Sequence, residues 1–130
     1  MTNIKTTARF LFLLFVIFFC FCFNANAAKK YYYQIKIYHL KTQSQEDRLD
    51  NYLQNAYLPV LHRLGIKNVG VFKPVTGDTL GKRVYVLIPF RTRKQLESLS
   101  DKLSADSQYF IDGKDYINAP YNDEPYTRME

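Results

Sequence analysis

Two histidines, His39 and His62, are the side chains of this 130-residue sequence best suited to proton transfer near neutrality or to holding a metal or haem. His39 closes the alternating stretch YYYQIKIYHL, on the same face as Ile35 and Ile37. His62 stands one helical turn beyond Leu58 in a pattern of helical period. Neither has carboxylates or a second ligand at a spacing that matches a metal template. The plainer reading is therefore a strand-end histidine and a helix-surface histidine. His39 and His62 are the only catalytic candidates, no metal site is expected, and no cofactor is expected.

Other chemistry-bearing patterns resolve into structure. Gly77-Asp78-Thr79-Leu80-Gly81 is glycine-bearing, but it joins two strand-like stretches and lacks the strand-to-helix setting of a phosphate loop. Glu46, Asp47 and Asp50 lie where a helix start favours negative charge. Arg91, Arg93 and Lys94 precede a second helical pattern; an anionic partner is conceivable there, but a solvated face explains them. No Ser/His/Asp set or carboxylate pair follows from spacing. Eleven tyrosines and no tryptophan are the more informative count, because tyrosine suits both half-buried sheets and aromatic pockets. On a sheet face left open opposite the helices, Tyr32, Tyr38 and Tyr85 are the expected ligand or interface residues.

The first 27 residues predict a secretory signal. Lys5 and Arg9 precede the apolar run Phe10–Phe23, which is shorter than the roughly 20 residues of a spanning helix, and Ala25-Asn26-Ala27 has the small-x-small form of a cleavage site. Export to the periplasm or medium, with cleavage near Ala27, is the expectation; membrane contact would come only through an uncleaved segment. Cys20 and Cys22 lie inside the run, so the mature chain would have neither disulfides nor thiol chemistry. Losing Lys5 and Arg9 from a formal charge of +6 leaves sixteen basic against twelve acidic residues. That modest excess, mixed with acids, argues for a solvated surface and against a nucleic-acid partner.

The elements that must position these residues follow from periodicity. Tyr32–Leu40 alternates as a strand. Ser44, three before Asp47, predicts the cap of an amphipathic helix carrying Leu49, Tyr52, Leu53, Ala56, Val60, Leu61 and Leu64. Pro59 predicts a kink or break near Tyr57 and Leu58, and Gly65 a left-handed helix end. KNVGVFKPV and RVYVLIPF form a hairpin. Leu96, Leu99 and Leu103 mark a helix capped by Thr92. Asp106–Ala119 is open between helix and loop, with an interruption at Gly113.

The order β-α-β-β-α predicts an α+β ferredoxin-like fold with strand order 4-1-3-2, helices on one face, and a fourth strand missing or only begun in Tyr126–Glu130. The expectation is a C-terminally truncated domain, residues 28–130, whose first strand keeps a largely unpaired edge.

In order and spacing, YYQIKIYHL, YLPVLHRLGI, NVGVFKPV and VYVLIPF resemble the NIPSNAP family, and ADSQYFIDGKDYINAPYNDEPYTRME resembles its exported bacterial members. The resemblance spans Tyr31–Glu130 and implies a domain of the dimeric α/β-barrel superfamily. It also implies homodimeric or tandem-domain association through the sheet. The expected function is a non-catalytic binding or interaction module with an open sheet face and room for a small apolar ligand. The alternative is a monooxygenase-like enzyme of that superfamily acting on a small apolar or haem-like substrate.

Overall fold

The computed structural model describes residues 30–75, 79 and 81–130. The expected signal segment, residues 1–27, lies outside the described residues, as do residues 76–78 and 80 of the loop between the second and third strands.

The elements run β1 (Tyr32–His39), α1 (Gln43–Tyr52), a π-helical turn (Leu53–Tyr57), α2 (Leu58–Arg63), β2 (Gly70–Phe72) and β3 (Arg83–Phe90). They continue through α3 (Arg93–Glu97), α4 (Leu99–Ser104), α5 (Ser107–Asp112) and α6 (Lys114–Ile117) to β4 (Arg128–Met129). The four strands form one antiparallel sheet in the order β2-β3-β1-β4, the ferredoxin-like arrangement. β4 is two residues long. It pairs with Tyr38 and His39 at one end of β1, whereas β3 pairs along β1 from Tyr32 to His39.

The register decides which side chains meet the helices. Tyr32, Gln34, Lys36 and Tyr38 face Phe90, Ile88, Val86 and Val84 across β1 and β3. Val84, Val86, Ile88 and Phe90 are fully buried, packed with Leu49, Leu53, Ala56, Val60 and Leu61 of the long helical run. Large-to-small changes at such sites cost roughly 2–5 kcal/mol.

Local chemistry refines the expected boundaries. The cap of α1 is Thr42, not Ser44: Gln45 donates its N–H to Thr42 Oγ1 at 3.1 Å, and Gln45 Oε1 accepts from the Lys41 and Thr42 N–H groups. A capping box needs glutamate or glutamine at its third helical position, and Gln45 supplies it. Pro59 does not break the helix. It has no N–H for the Asn55 carbonyl, and the chain absorbs that loss by widening over Leu53–Tyr57, where the Leu58 N–H reaches back to the Leu53 carbonyl. Gly65 ends α2 with φ +81°, while Ile66 donates to the Leu61 carbonyl and Gly65 to His62, both orphan carbonyls being satisfied.

Thr92 caps α3 as expected, accepting from Gln95. The helical pattern of Arg91–Ser104 divides at Ser98, and β2 is shorter than KNVGVFKPV suggested. Asp106–Ala119 resolves into α5 and α6 around Gly113, where a Cβ would stand 3.0 Å from the Tyr109 carbonyl and 3.2 Å from Ala56 Cβ.

Candidate functional site

Because alternate residues of a strand point to opposite faces, packing one set under the helices turns the other outward. On the uncovered face lie Tyr33, Ile35 and Ile37 of β1 and their partners Pro89, Leu87 and Tyr85 of β3, joined by Phe72 of β2, which pairs with Tyr85. Tyr33, Ile35 and Phe72 are 60%, 58% and 56% exposed. The Phe72 ring lies over Gly70, where a Cβ would come within 2.5 Å of it, so the absent side chain lets the ring lie flat on the sheet. At one end His39 Nε2 lies 3.0 Å from Glu130 Oε1, and Arg128 reaches the same oxygen at 3.1 Å. The result is an apolar floor with a polar rim.

The three tyrosines expected on this face do not share it. Tyr85 does lie there. Tyr38 is 1% exposed beneath the helices, and Tyr32, opposite Phe90, is on that same covered side. Tyr38 meets Tyr126 edge-on at 5.8 Å, and burial pushes its hydroxyl up to about 12.

Around Tyr38 the helix layer holds an aromatic cluster that the sequence did not reveal. Tyr52 stacks on Tyr116 at 3.8 Å and on Tyr57 at 5.6 Å, and its hydroxyl is 2.8 Å from that of Tyr109. Burial raises the pKa of Tyr52, Tyr57, Tyr109 and Tyr116 alike. These phenols remain protonated near neutrality and serve as packing with a hydroxyl to place. The available signal was helical spacing, which sets Tyr52 and Tyr109 on the inward sides of their helices.

The histidines are separated by the sheet. His39 is on the uncovered face. His62 is exposed on α2, at a shallow cleft of about 420 Å³ formed with Asp50, Leu53, Gln54, Leu58, Pro59 and Val71. They do not form one acid-base pair. Among the described residues no group of three His, Cys, Asp or Glu side chains could hold a metal ion, and no helix is long and apolar enough to cross a membrane.

The acidic helix start does more than complement a dipole. Glu46 joins Lys82 at 2.7 Å and Lys73 at 2.9 Å, tying α1 to both arms of the β2–β3 hairpin; hydrogen bonds from Lys82 and then Lys73 hold its carboxyl below the ordinary range. Asp50 also contacts Lys73, and Asp47 accepts from Gln43. In the basic cluster, Arg93 pairs with Glu97 one turn on, at 2.7 Å, on an exposed surface. Comparisons with known protein families, with curated proteins and with solved structures find no match.

Proposed function

We propose that this chain is a binding or association module that works through its uncovered sheet face, as an exported protein of NIPSNAP type. One observation carries the reading: Tyr33, Ile35, Ile37, Phe72, Tyr85, Leu87 and Pro89 make a continuous apolar floor, with three members more than half exposed. Contiguous exposed apolar surface rimmed by polar groups marks interaction sites. The favoured occupant is the equivalent sheet of a second copy or tandem domain, which would enclose an aromatic-lined space suited to a small apolar molecule.

Sedimentation velocity over a wide concentration range tests this. A reversible dimer that Leu87→Lys weakens supports it; a monomer throughout, without uptake of an apolar fluorescent probe, refutes it.

A monooxygenase-like enzyme is the second reading, and the contact between His39 and Glu130 at the rim favours it. A carboxylate that holds an imidazole in place beside an apolar floor supplies a positioned acid or base. Haem titration tests the haem-like version. An unshifted Soret band, or a shift that survives His39→Ala, counts against it.

A further inference from the structure

One end of the uncovered face carries a row of hydrogen-bond donors. The register sets Arg128 of β4 opposite His39 of β1, and His39 opposite Arg83 of β3. Directly opposed residues of antiparallel strands hold their Cβ atoms about 4.5–5.5 Å apart on one face, so two guanidinium side chains flank one imidazole across three strands. The pairing carries β4 from His39 toward Ile37, so any extension of that strand runs away from the row.

One carboxylate serves this row. Glu130 Oε1 lies 3.0 Å from His39 Nε2 and 3.1 Å from the Arg128 guanidinium. Arg83 stands on the other side of His39. It has no ion-pair partner among the described residues, and its Nε is buried without a hydrogen-bond partner among them. Its neighbour Lys82 is engaged by Gln43 and Glu46. An unmet donor on a charged group costs more than an ordinary one, and a carboxylate is the anion whose two oxygens match the edge of a guanidinium.

The apolar floor begins at the next row. Ile37 opposes Tyr85, with Phe72 beside it, and Ile35 opposes Leu87 one step further. From His39 to Ile35 the strand advances by about 13 Å, at about 3.3 Å per residue.

We propose that the uncovered face binds a small monocarboxylate with an apolar body, its carboxylate against Arg83 and its body over Ile37, Tyr85, Phe72 and Leu87. The inference rests on the reading of this face as the binding surface and gives the ligand a class and a direction, head toward His39 and tail toward Ile35. A neutral apolar molecule would fill the floor and leave Arg83 unmet, and an ammonium would face two guanidinium groups. Glu130 lies beyond His39, so it repels an incoming carboxylate least on the Arg83 side.

The test titrates the full chain with octanoate, octan-1-ol and octylammonium, reading affinity by calorimetry and position by amide chemical shifts. Octanoate should bind at least about fivefold more tightly than the alcohol or the amine, with shifts centred on Ile37, Arg83 and Tyr85. Arg83→Met should bring octanoate to the level of the alcohol and leave the alcohol unchanged, whereas Leu87→Gln should weaken both. Equal affinities for octanoate and octanol, both weakened by Leu87→Gln, would overturn the assigned head while the face stands as the binding surface. A preference that survives Arg83→Met, shifts confined to the helix layer, or binding of none of the three would also overturn the proposal, and sedimentation then decides association through the face separately.

Discussion

Replacing Ile35 by lysine separates association through the sheet face from folding of the domain. Full burial of an isoleucine is worth about 1.5–3 kcal/mol, and 58% of the Ile35 surface is still exposed. A covering partner therefore has roughly 0.9–1.7 kcal/mol to gain per copy, or roughly 2–3.5 kcal/mol across a symmetric pair. Ile35→Lys forfeits that gain and sets an ammonium on the interface. At 1.4 kcal/mol per tenfold, the dimer dissociation constant should rise by about 30- to 300-fold. The fold should hardly notice, because the side chain points away from the core formed by Val84, Val86, Ile88 and Phe90, and surface substitutions usually stay within about 0.5 kcal/mol. Sedimentation equilibrium reads the first quantity and a thermal melt at low concentration the second. An unchanged dissociation constant with an unchanged melt would refute the face as the interface.

Four further outcomes follow from local geometry. Gly113→Ala should lower stability by about 1–3 kcal/mol in a denaturant melt, since the added Cβ meets the Tyr109 carbonyl and Ala56. Thr42→Ala removes the acceptor of the α1 capping box and should cost about 1 kcal/mol, while Ser44→Ala should cost little. Tyr57→Phe, which deletes a buried hydroxyl that has no partner among the described residues, should be neutral or stabilising; Tyr52→Phe, which deletes one bonded to Tyr109, should destabilise by about 1 kcal/mol. Glu46 has a folded pKa below its unfolded one, so its ion pairs stabilise fully above the unfolded value and are lost as pH falls through the folded value. Urea midpoints for wild type and Glu46→Gln should therefore converge as pH drops below about 4.5, the ordinary value for glutamate.

The alternation of β1 was legible; the side that goes under the helices was not. Its two faces read Tyr33, Ile35, Ile37 and Tyr32, Gln34, Lys36, Tyr38, and simple hydrophobicity would bury the first. The structure buries the second, because the pairing with β3 aligns it with Val84, Val86, Ile88 and Phe90, the set packed against the long helix. RVYVLIPF is apolar at nearly every position, so its own inward face could not be read from period alone. That one ambiguity moved Tyr38 from an expected ligand surface into the core. The cap at Thr92, the turn at Gly65 and the strand order were readable because each rests on short-range chemistry or on the element order. The partners of Glu46 were not, because Lys73, just after β2, and Lys82, just before β3, come to a helix residue 27 and 36 positions earlier.

The tyrosine cluster and β4 are linked through one arginine. Arg48 on α1 contacts Asp115 at 3.3 Å, the Asp123 carboxylate at 2.6 Å and the Asp123 carbonyl at 2.8 Å, while Gln45 donates to the Glu124 carbonyl. These contacts fasten the segment after α6 across the helix, where Tyr116 stacks on Tyr52 and Tyr126 meets Tyr38. From that anchorage the backbone arrives at β1 with Arg128 opposite His39 and Glu130 exchanging backbone bonds with Ile37. The helix layer thus fixes the register of β4 against the end of β1 that carries Tyr38 and His39.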